Sequence, residues 1–456
     1  MNERELLLRT AELAADFVDS LDTRRVFPDT SVDELGAALG GPLPKQGADP
    51  LEVVEQLARD AEAGVVASAG GRYFGFVIGG SVPAALAADW LTSTWDQCAG
   101  MGVLGPSSLV AEQVAGNWLK DLFGLPGEAS FGFTTGCQMA HVTALAAARH
   151  AVLERAGFDV EADGLAGSPP ITVVAGANRH VTLGRALRLL GIGKAQITVV
   201  AADDGGRMKA DALERALDGV DGPAIVCAQA GEVNTGAFDP LVEAADLAAA
   251  RGAWLHVDGA FGMWAAASPA LRHLTTGLER ADSWATDAHK WLNVPYDCGV
   301  AFCAHPEAHR AAMRVSAAYL VESGAWHRDA TDWTPESSRR ARGLPVYAAL
   351  RSLGRAGVAE LIDRCCALAR RFEAGLSDLP GAAVVNDVVL NQVLFRFADD
   401  ETTTVALARV QAGGEAWMGG TTWDGRPAIR LSVSNWRTTE ADIDRTLAAF
   451  GAALRA

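Results

Sequence analysis

Several functional classes are excluded by what this chain of 456 residues lacks. Its seven cysteines are odd in number and scattered, with no Cys-x-x-Cys pair. A disulfide framework is therefore not expected, and reduced thiols of a cytoplasmic protein are the economical reading. Positive charge is scarce: 39 Lys and Arg stand against 56 Asp and Glu, a formal net charge of -17. A nucleic-acid partner needs a basic footprint, and an anionic membrane needs the same, so neither is expected. No apolar run reaches membrane length. The best stretch, Phe74 to Leu91, is broken by Gly79, Gly80, Pro83 and Asp89. The N-terminus is acidic and shows no basic-then-apolar leader, which again points to the cytoplasm. Metal-site spacing is missing too. His305 and His309 are four apart, but the glutamate the motif needs directly after the first is absent, so no metal is expected. There is no Gly-x-Ser-x-Gly elbow, no Gly-x-Gly-x-x-Gly fingerprint and no P-loop, and Gly193-Lys194 repairs none of these absences.

What the chain does have is length and alternation. Its size exceeds one ordinary core, so at least two packed domains are expected. Leu6, Leu7, Leu13, Ala14 and Phe17 recur at helical spacing in an N-terminal region, 1-80, too thin to bury a core alone. A further helix is expected over 107-123. Beyond residue 130, short apolar runs at 171-175, 197-201, 224-228, 253-257, 283-286 and 299-303 alternate with helical stretches at 137-154, 181-190, 211-218 and 241-251. That alternation predicts an α/β fold with a mostly parallel sheet covered on both faces. Residues 81-343 form the large domain of this reading, and 344-456 a small α+β C-terminal domain. The polar stretch 323-343 has no sustained period and reads as a lid or binding loop.

The chemistry sits at strand ends. Trp254-Leu-His-Val-Asp258 is a strand ending in an acid, and Asp282 to Lys290 is a second one ending in His289-Lys290. A lysine after a strand ordinarily snorkels to the surface, and an aspartate there ordinarily caps the next turn. Together they are what a pyridine aldehyde requires: an amine to form an imine and a carboxylate to keep the ring nitrogen protonated. Pyridoxal 5'-phosphate uses that protonated ring as its electron sink. The lysine then needs a lowered pKa or a proton acceptor beside it. Ala260 is small enough to let a ring lie close. His256 shares a strand face with Asp258, so it either orients that carboxylate or is simply a core histidine. Thr134, Thr135, Gly136 and Gln138 form a turn opening an Ala-rich helix, where free amides suit a phosphate dianion. His180 follows another strand; it is either a helix cap or a ring to stack on the cofactor.

Taken in order, Tyr73-Phe-Gly75, the segment Gly132 to Ala148, His256-Val-Asp-Gly-Ala260, Asp287-Ala-His-Lys290 and Arg437-Thr-Thr-Glu440 resemble the group II pyridoxal-phosphate-dependent amino-acid decarboxylases, which include the aromatic-L-amino-acid and glutamate enzymes. The likeness runs from about Tyr73 to Arg437. It implies the type I fold, with a seven-stranded large domain, a small C-terminal domain, and a homodimer with active sites at the interface. It implies Lys290 as the Schiff-base lysine, Asp258 as partner of the ring nitrogen, His180 stacked over the ring and Ala260 beneath it. Cys137 and Gln138 would lie in the phosphate cup, with His289 at its end. The implied reaction is alpha-decarboxylation of an L-amino acid to the amine and carbon dioxide, with His180 or a loop group returning the proton.

Three positions depart from the family pattern. Cys137-Gln-Met-Ala140 replaces the usual small-Ser-Glu-Ala, and Glu232-Val233 replaces a Thr-Thr pair. No tyrosine lies between Tyr319 and Tyr347, where the family places its loop proton donor; His327 is the candidate substitute. The missing tyrosine keeps two alternatives open: oxidative deamination to an aldehyde or another carbon-carbon cleavage, and a cofactor-binding interaction protein with little turnover.

Overall fold

The computed structural model describes residues 2–315 and 328–455. The chain divides into two compact units, one of Gly79–Ala369 with Asn386–Gln392, the other of Met1–Ile78, Arg370–Val385 and Val393–Ala456. The larger unit carries β1 (Ser130–Thr134), β2 (Thr172–Gly176), β3 (Ile197–Val200), β4 (Ala224–Gln229), β5 (Trp254–Asp258), β6 (Ser283–Asp287) and β7 (Gly299–Cys303). They form one sheet in the order β1-β7-β6-β5-β4-β2-β3. The run from β6 through β5, β4 and β2 to β3 is parallel, and β7 is antiparallel to both β6 and β1. The expected α/β class and seven-stranded, mostly parallel sheet are both present.

Local sequence explains why these segments pair. All residues of β1, β4, β5, β6 and β7 are buried, which matches their near-continuous apolar runs. The edge strand β3 instead leaves Thr198 and Val199 exposed. Between strands run the helices Cys137–Arg155, Val181–Leu189, Ala210–Asp218 and Leu241–Ala250. The first is rich in alanine, so it packs closely on the sheet; Leu145, Val152 and Leu153 join Leu187, Ile225 and Trp254 in the core.

Register brings the chemistry-bearing residues to one edge. Gln229 pairs with Asp258, Asp258 with Ala285, and Gly299 with both Asp287 and Thr134. The ends of β1, β4, β5 and β6 therefore meet the start of β7, the carboxyl edge where α/β sheets hold ligands. Gly299 has to be glycine, because a Cβ there would overlap the backbone of Gly136. Gly136 itself has φ 151, a region that favours glycine.

The stretch expected as a polar loop is anchored in its described part. Its residues from Arg328 onward pack into the larger unit, and Arg339 spends none of its charge on solvent. Its guanidinium donates to Glu112 at 2.8 Å, Ala99 O at 2.8 Å and Phe133 O at 2.7 Å, and both partners of the ion pair are buried. Polarity there reflects a buried network that composition cannot distinguish from a solvated loop. Removing one partner strands the other charge, so Arg339→Met should lower unfolding free energy by about 3–5 kcal/mol, measured by denaturant unfolding. His327 lies outside the described residues.

The smaller unit holds β8 (Ala383–Val384), β9 (Gln392–Arg396), β10 (Gly419–Trp423) and β11 (Arg426–Ser432), in the sheet order β10-β11-β9-β8. Phe372, Phe395, Phe397 and Phe450 interlock beneath it. The strand β10 was invisible in the sequence because its Gly-Gly-Thr-Thr start is an edge segment with little to bury. Tyr73 stacks on Trp417 at 5.0 Å, and Thr438 donates to Gly71 O at 2.8 Å, which accounts for two of the motif segments as packing residues. The helices Glu3–Ser20, Val32–Leu39 and Pro50–Glu62 contain no buried residue.

Candidate active site

Asp258 closes β5, and its geometry follows from the strand end. Its Oδ1 accepts from Ala260 N at 3.1 Å and from the Cys137 thiol at 3.9 Å, while Oδ2 faces His141 Nε2 at 3.4 Å. Burial works to raise the carboxyl's pKa, but His141, His180 and Lys290 outweigh it and hold the group well below the carboxylate range. Asp258 is thus an ionised carboxylate in a dry place. The same environment pushes the Cys137 thiol far up, so Cys137 stays protonated.

Lys290 follows β6 by three residues. Its Nζ lies 2.8 Å from Asp287 Oδ2, and the side chain keeps 19% of its surface open. Burial favours the neutral amine, yet Asp287 and Asp258 raise its pKa above the ordinary lysine range. A lowered lysine pKa, one of the two features set out from the sequence, is not present; Asp287 stands where the other, a proton acceptor, would. This aspartate was quoted in the motif but given no role. It also accepts from Cys137 N at 2.6 Å, so the first N–H of the Cys137–Arg155 helix already holds an anionic oxygen.

His289 sits at the same junction. Its Nδ1 accepts from Cys298 N at 3.1 Å, leaving Nε2 to carry the proton toward Asp287 Oδ1 at 3.5 Å, and its ring stacks on Tyr296 at 4.2 Å. Burial lowers its pKa. A Cβ on Gly136 would come within 3.2 Å of its Cε1, so the turn and His289 are in close register. Thr135 is half-buried beside them. Gln138 donates to Thr182 O at 3.2 Å and retains a buried Oε1 with no partner among the described residues.

His180 caps the Val181–Leu189 helix: its Nδ1 meets Thr182 Oγ1 at 2.7 Å, and its backbone N donates to the Gln229 side chain at 3.1 Å. The capping role set out from the sequence is present, and the ring also stands close enough to Asp258 to lower that carboxyl's pKa. Ala260 is half-buried against Cys137, Ala140, Ala144, Ala285 and Ala301, a patch of small side chains. Sequence reasoning missed His141. Its signal was available, one helical turn after Cys137, but its partner Asp258 is 117 positions away (258 − 141).

Pyridoxal phosphate needs an amine, a fixed carboxylate and an anion-holding turn. Lys290, Asp258 and the Thr135–Gln138 turn supply them on one sheet edge, and Cys137 N–H already carries a carboxylate oxygen where an anion belongs. The residues fit the group.

Comparison with known proteins agrees. The family model described as the pyridoxal-dependent decarboxylase conserved domain matches residues 39–398. An aromatic-L-amino-acid decarboxylase of Bacillus atrophaeus is 29% identical, covering 96% of this chain and 93% of the relative. An L-2,4-diaminobutyrate decarboxylase of Rhizobium meliloti is 32% identical over 82% of this chain and 76% of the relative. Among solved structures, Oryza sativa TDC with PLP and tryptamine superposes with a TM-score of 0.93 at 25% identity, covering 100% of this chain and 98% of that one. No helix of the described chain is long and apolar enough to cross a membrane. The chain belongs to the pyridoxal-dependent decarboxylase family and is a carboxy-lyase that uses pyridoxal phosphate.

Proposed function

We propose that the protein removes the alpha-carboxylate of an L-amino acid as carbon dioxide and releases the amine. The observation that carries this reading is the meeting of Lys290, Asp258 and the 135–138 turn at one carboxyl edge of the sheet, in a chain of this family. When bound, pyridoxal phosphate supplies the conjugated system that takes up the electrons of the breaking Cα–carboxylate bond.

The chain's own residues do the rest. Asp287 Oδ2, at 2.8 Å, takes the proton that Lys290 Nζ must lose to become a nucleophile, and gives it back on release. Asp258 holds a negative charge where the ring nitrogen needs a counter-ion. Thr135, Gly136, Cys137 and Gln138 would hold the phosphate, with His289 at that end, and Ala260 would leave room for the ring. His180 would stand beside the bound group and return a proton to the alpha carbon. Orientation decides which bond breaks, because only a bond aligned with the π system gains from it. His327 is the second candidate donor: His327→Gln should leave the amine rate unchanged if His180 serves, and reduce it on the order of a hundredfold if His327 does, read as amine released under saturating substrate.

The absence of a tyrosine between Tyr319 and Tyr347 favours testing one second outcome, oxidative deamination to an aldehyde. A panel of L-amino acids, scored for carbon dioxide, amine, aldehyde and peroxide, separates the two. Equal carbon dioxide and amine support decarboxylation; aldehyde with peroxide replaces it.

The working form of this reading is a cytoplasmic homodimer built from an N-terminal arm (1-80), a large domain (81-343) and a small domain (344-456). What supports the assembly is uncovered apolar surface. Leu7, Leu8, Val53 and Leu57 are exposed on the leading helices, and Trp90, Leu91 and Trp95 on the Pro83–Trp95 helix. Sedimentation should show a dimer. Combining Leu8→Asp with Leu57→Asp should weaken it at least about a hundredfold, since each lost leucine contributes roughly 1.5–3 kcal/mol. A cofactor-loaded, active monomer of the unmodified protein contradicts this.

A further inference from the structure

Behind Asp258 lies a buried chain of polar groups that the mechanism above does not use. His141 Nε2 faces Asp258 Oδ2 at 3.4 Å, and His141 Nδ1 lies 2.9 Å from His256 Nε2. His256 Nδ1 lies 2.9 Å from Ser283 Oγ, and Trp254 Nε1 donates to that oxygen at 2.8 Å. All five residues are buried. They come from three elements, the Cys137–Arg155 helix, β5 and β6, in an otherwise apolar layer.

The two ends fix the direction of every proton. An indole N–H only donates and an ionised carboxylate only accepts. With neutral imidazoles, His141 carries its proton on Nε2 and donates to Asp258, so its Nδ1 accepts from His256 Nε2–H. His256 Nδ1 then accepts the Ser283 hydroxyl proton, and Ser283 Oγ accepts from Trp254. No side-chain polar atom of these five residues is left without a partner, which is the condition under which a buried network stabilises and orders rather than costs. His256 is kept neutral by burial, its pKa lowered to about 3, as this arrangement requires.

We infer that Trp254, Ser283, His256 and His141 form a proton-ordered relay that orients Asp258 and keeps it ionised, making His141 and His256 positioning residues for the cofactor's ring nitrogen. The inference rests on the proposed role of Asp258. On this inference the two readings of His256 offered by the sequence combine: it is a core histidine, and it acts on Asp258 through its hydrogen bond to His141. The charged and titratable groups around Asp258 are Cys137 and His141 on the helix, Cys227 on β4, His256 on β5, His180 at the next helix start, and Lys290. His141 Nε2 lies 3.4 Å from Oδ2. Without its donor, burial raises the carboxyl's pKa, and a protonated carboxyl cannot pair with a ring cation. The loss therefore grows as pH falls.

The test compares His141→Leu with His141→Gln in the cofactor-loaded protein. Leucine removes both polar atoms. Glutamine places an amide N–H toward Asp258 and a carbonyl toward His256, so it rescues. His141→Leu should hold pyridoxal phosphate about tenfold more weakly, with the acid limb of its amine-release rate lying at higher pH than in wild type. His141→Gln should stay within about threefold of wild type in both. Downfield imidazole N–H proton resonances of the wild type should be missing in His141→Leu. Wild-type affinity and pH profile in His141→Leu overturn the relay, as does an equal, pH-independent loss in both variants. If His141→Leu does not fold, Ser283→Ala at the far end should shift the acid limb in the same direction, and an unchanged limb overturns the relay.

Cys137, His141 and Asp258 also bring donor atoms within 4.8 Å of one another; stoichiometric zinc bound there in the loaded protein would occupy His141 Nε2 and equally overturn it. Borohydride reduction and peptide mass analysis locate the cofactor in each variant. If wild type carries none at Lys290, it is the underlying site reading that fails.

Discussion

Lys290→Ala should lose amine formation by on the order of a thousandfold or more, and should lose the covalent cofactor adduct that borohydride traps in the unmodified chain. The expectation follows from position. Lys290 Nζ stands at the carboxyl edge with its proton acceptor Asp287 at 2.8 Å, and the other side chains that lower the Asp258 pKa are histidines. An adduct that persists at another lysine removes the assignment. Cofactor affinity should fall less than rate, because the turn at Thr135–Gln138 and Asp258 remain. The same logic predicts that Asp287→Asn slows cofactor capture, since the amide no longer accepts the Lys290 proton.

Asp258→Asn should keep some bound cofactor and lose turnover by about a hundredfold to a thousandfold. Removing one member of a desolvated charge pair costs about 3–5 kcal/mol, and here the member left behind is the ring cation on which the electron sink depends. The change also leaves His141 Nε2–H facing a neutral amide, so the relay behind it loses its anionic end. The measurement is the amine-release rate at saturating substrate, with the cofactor's visible absorbance recorded beside it. Normal turnover in Asp258→Asn rejects the electron-sink role.

Much of this site could be read along the chain, for a physical reason. The parallel sheet sets its ligand edge at strand ends, so a strand ending in an acid and another leading to His-Lys announce themselves within short windows. Asp258, Lys290, His289, Ala260 and the 135–138 turn all lie in such windows, and strand boundaries fell within a residue or two of those expected because buried parallel strands are continuously apolar. What escaped depends on contacts distant in sequence. His141 looks like an ordinary polar interruption of an Ala-rich helix until the fold sets it against Asp258. Arg339 lies in the stretch read as a polar loop and Glu112 in the helix expected over 107-123, and nothing in either segment announces that they form a buried pair. The strand β10 carries Gly and Thr at an edge, where burial supplies no pattern. His180 shows the converse: one residue is both the helix cap and a group that lowers the Asp258 pKa.

The central claim is that the alpha-carboxylate leaves as carbon dioxide. Its most direct measurement uses cofactor-loaded protein with L-amino acids labelled at the carboxyl carbon, following label in carbon dioxide and counting amine against it. One labelled carbon dioxide per amine, with no aldehyde or peroxide and with both lost in Lys290→Ala, is the predicted result. Label retained in a keto acid or in unreacted substrate whose alpha hydrogen has exchanged would show that a different bond is broken, and would contradict the account.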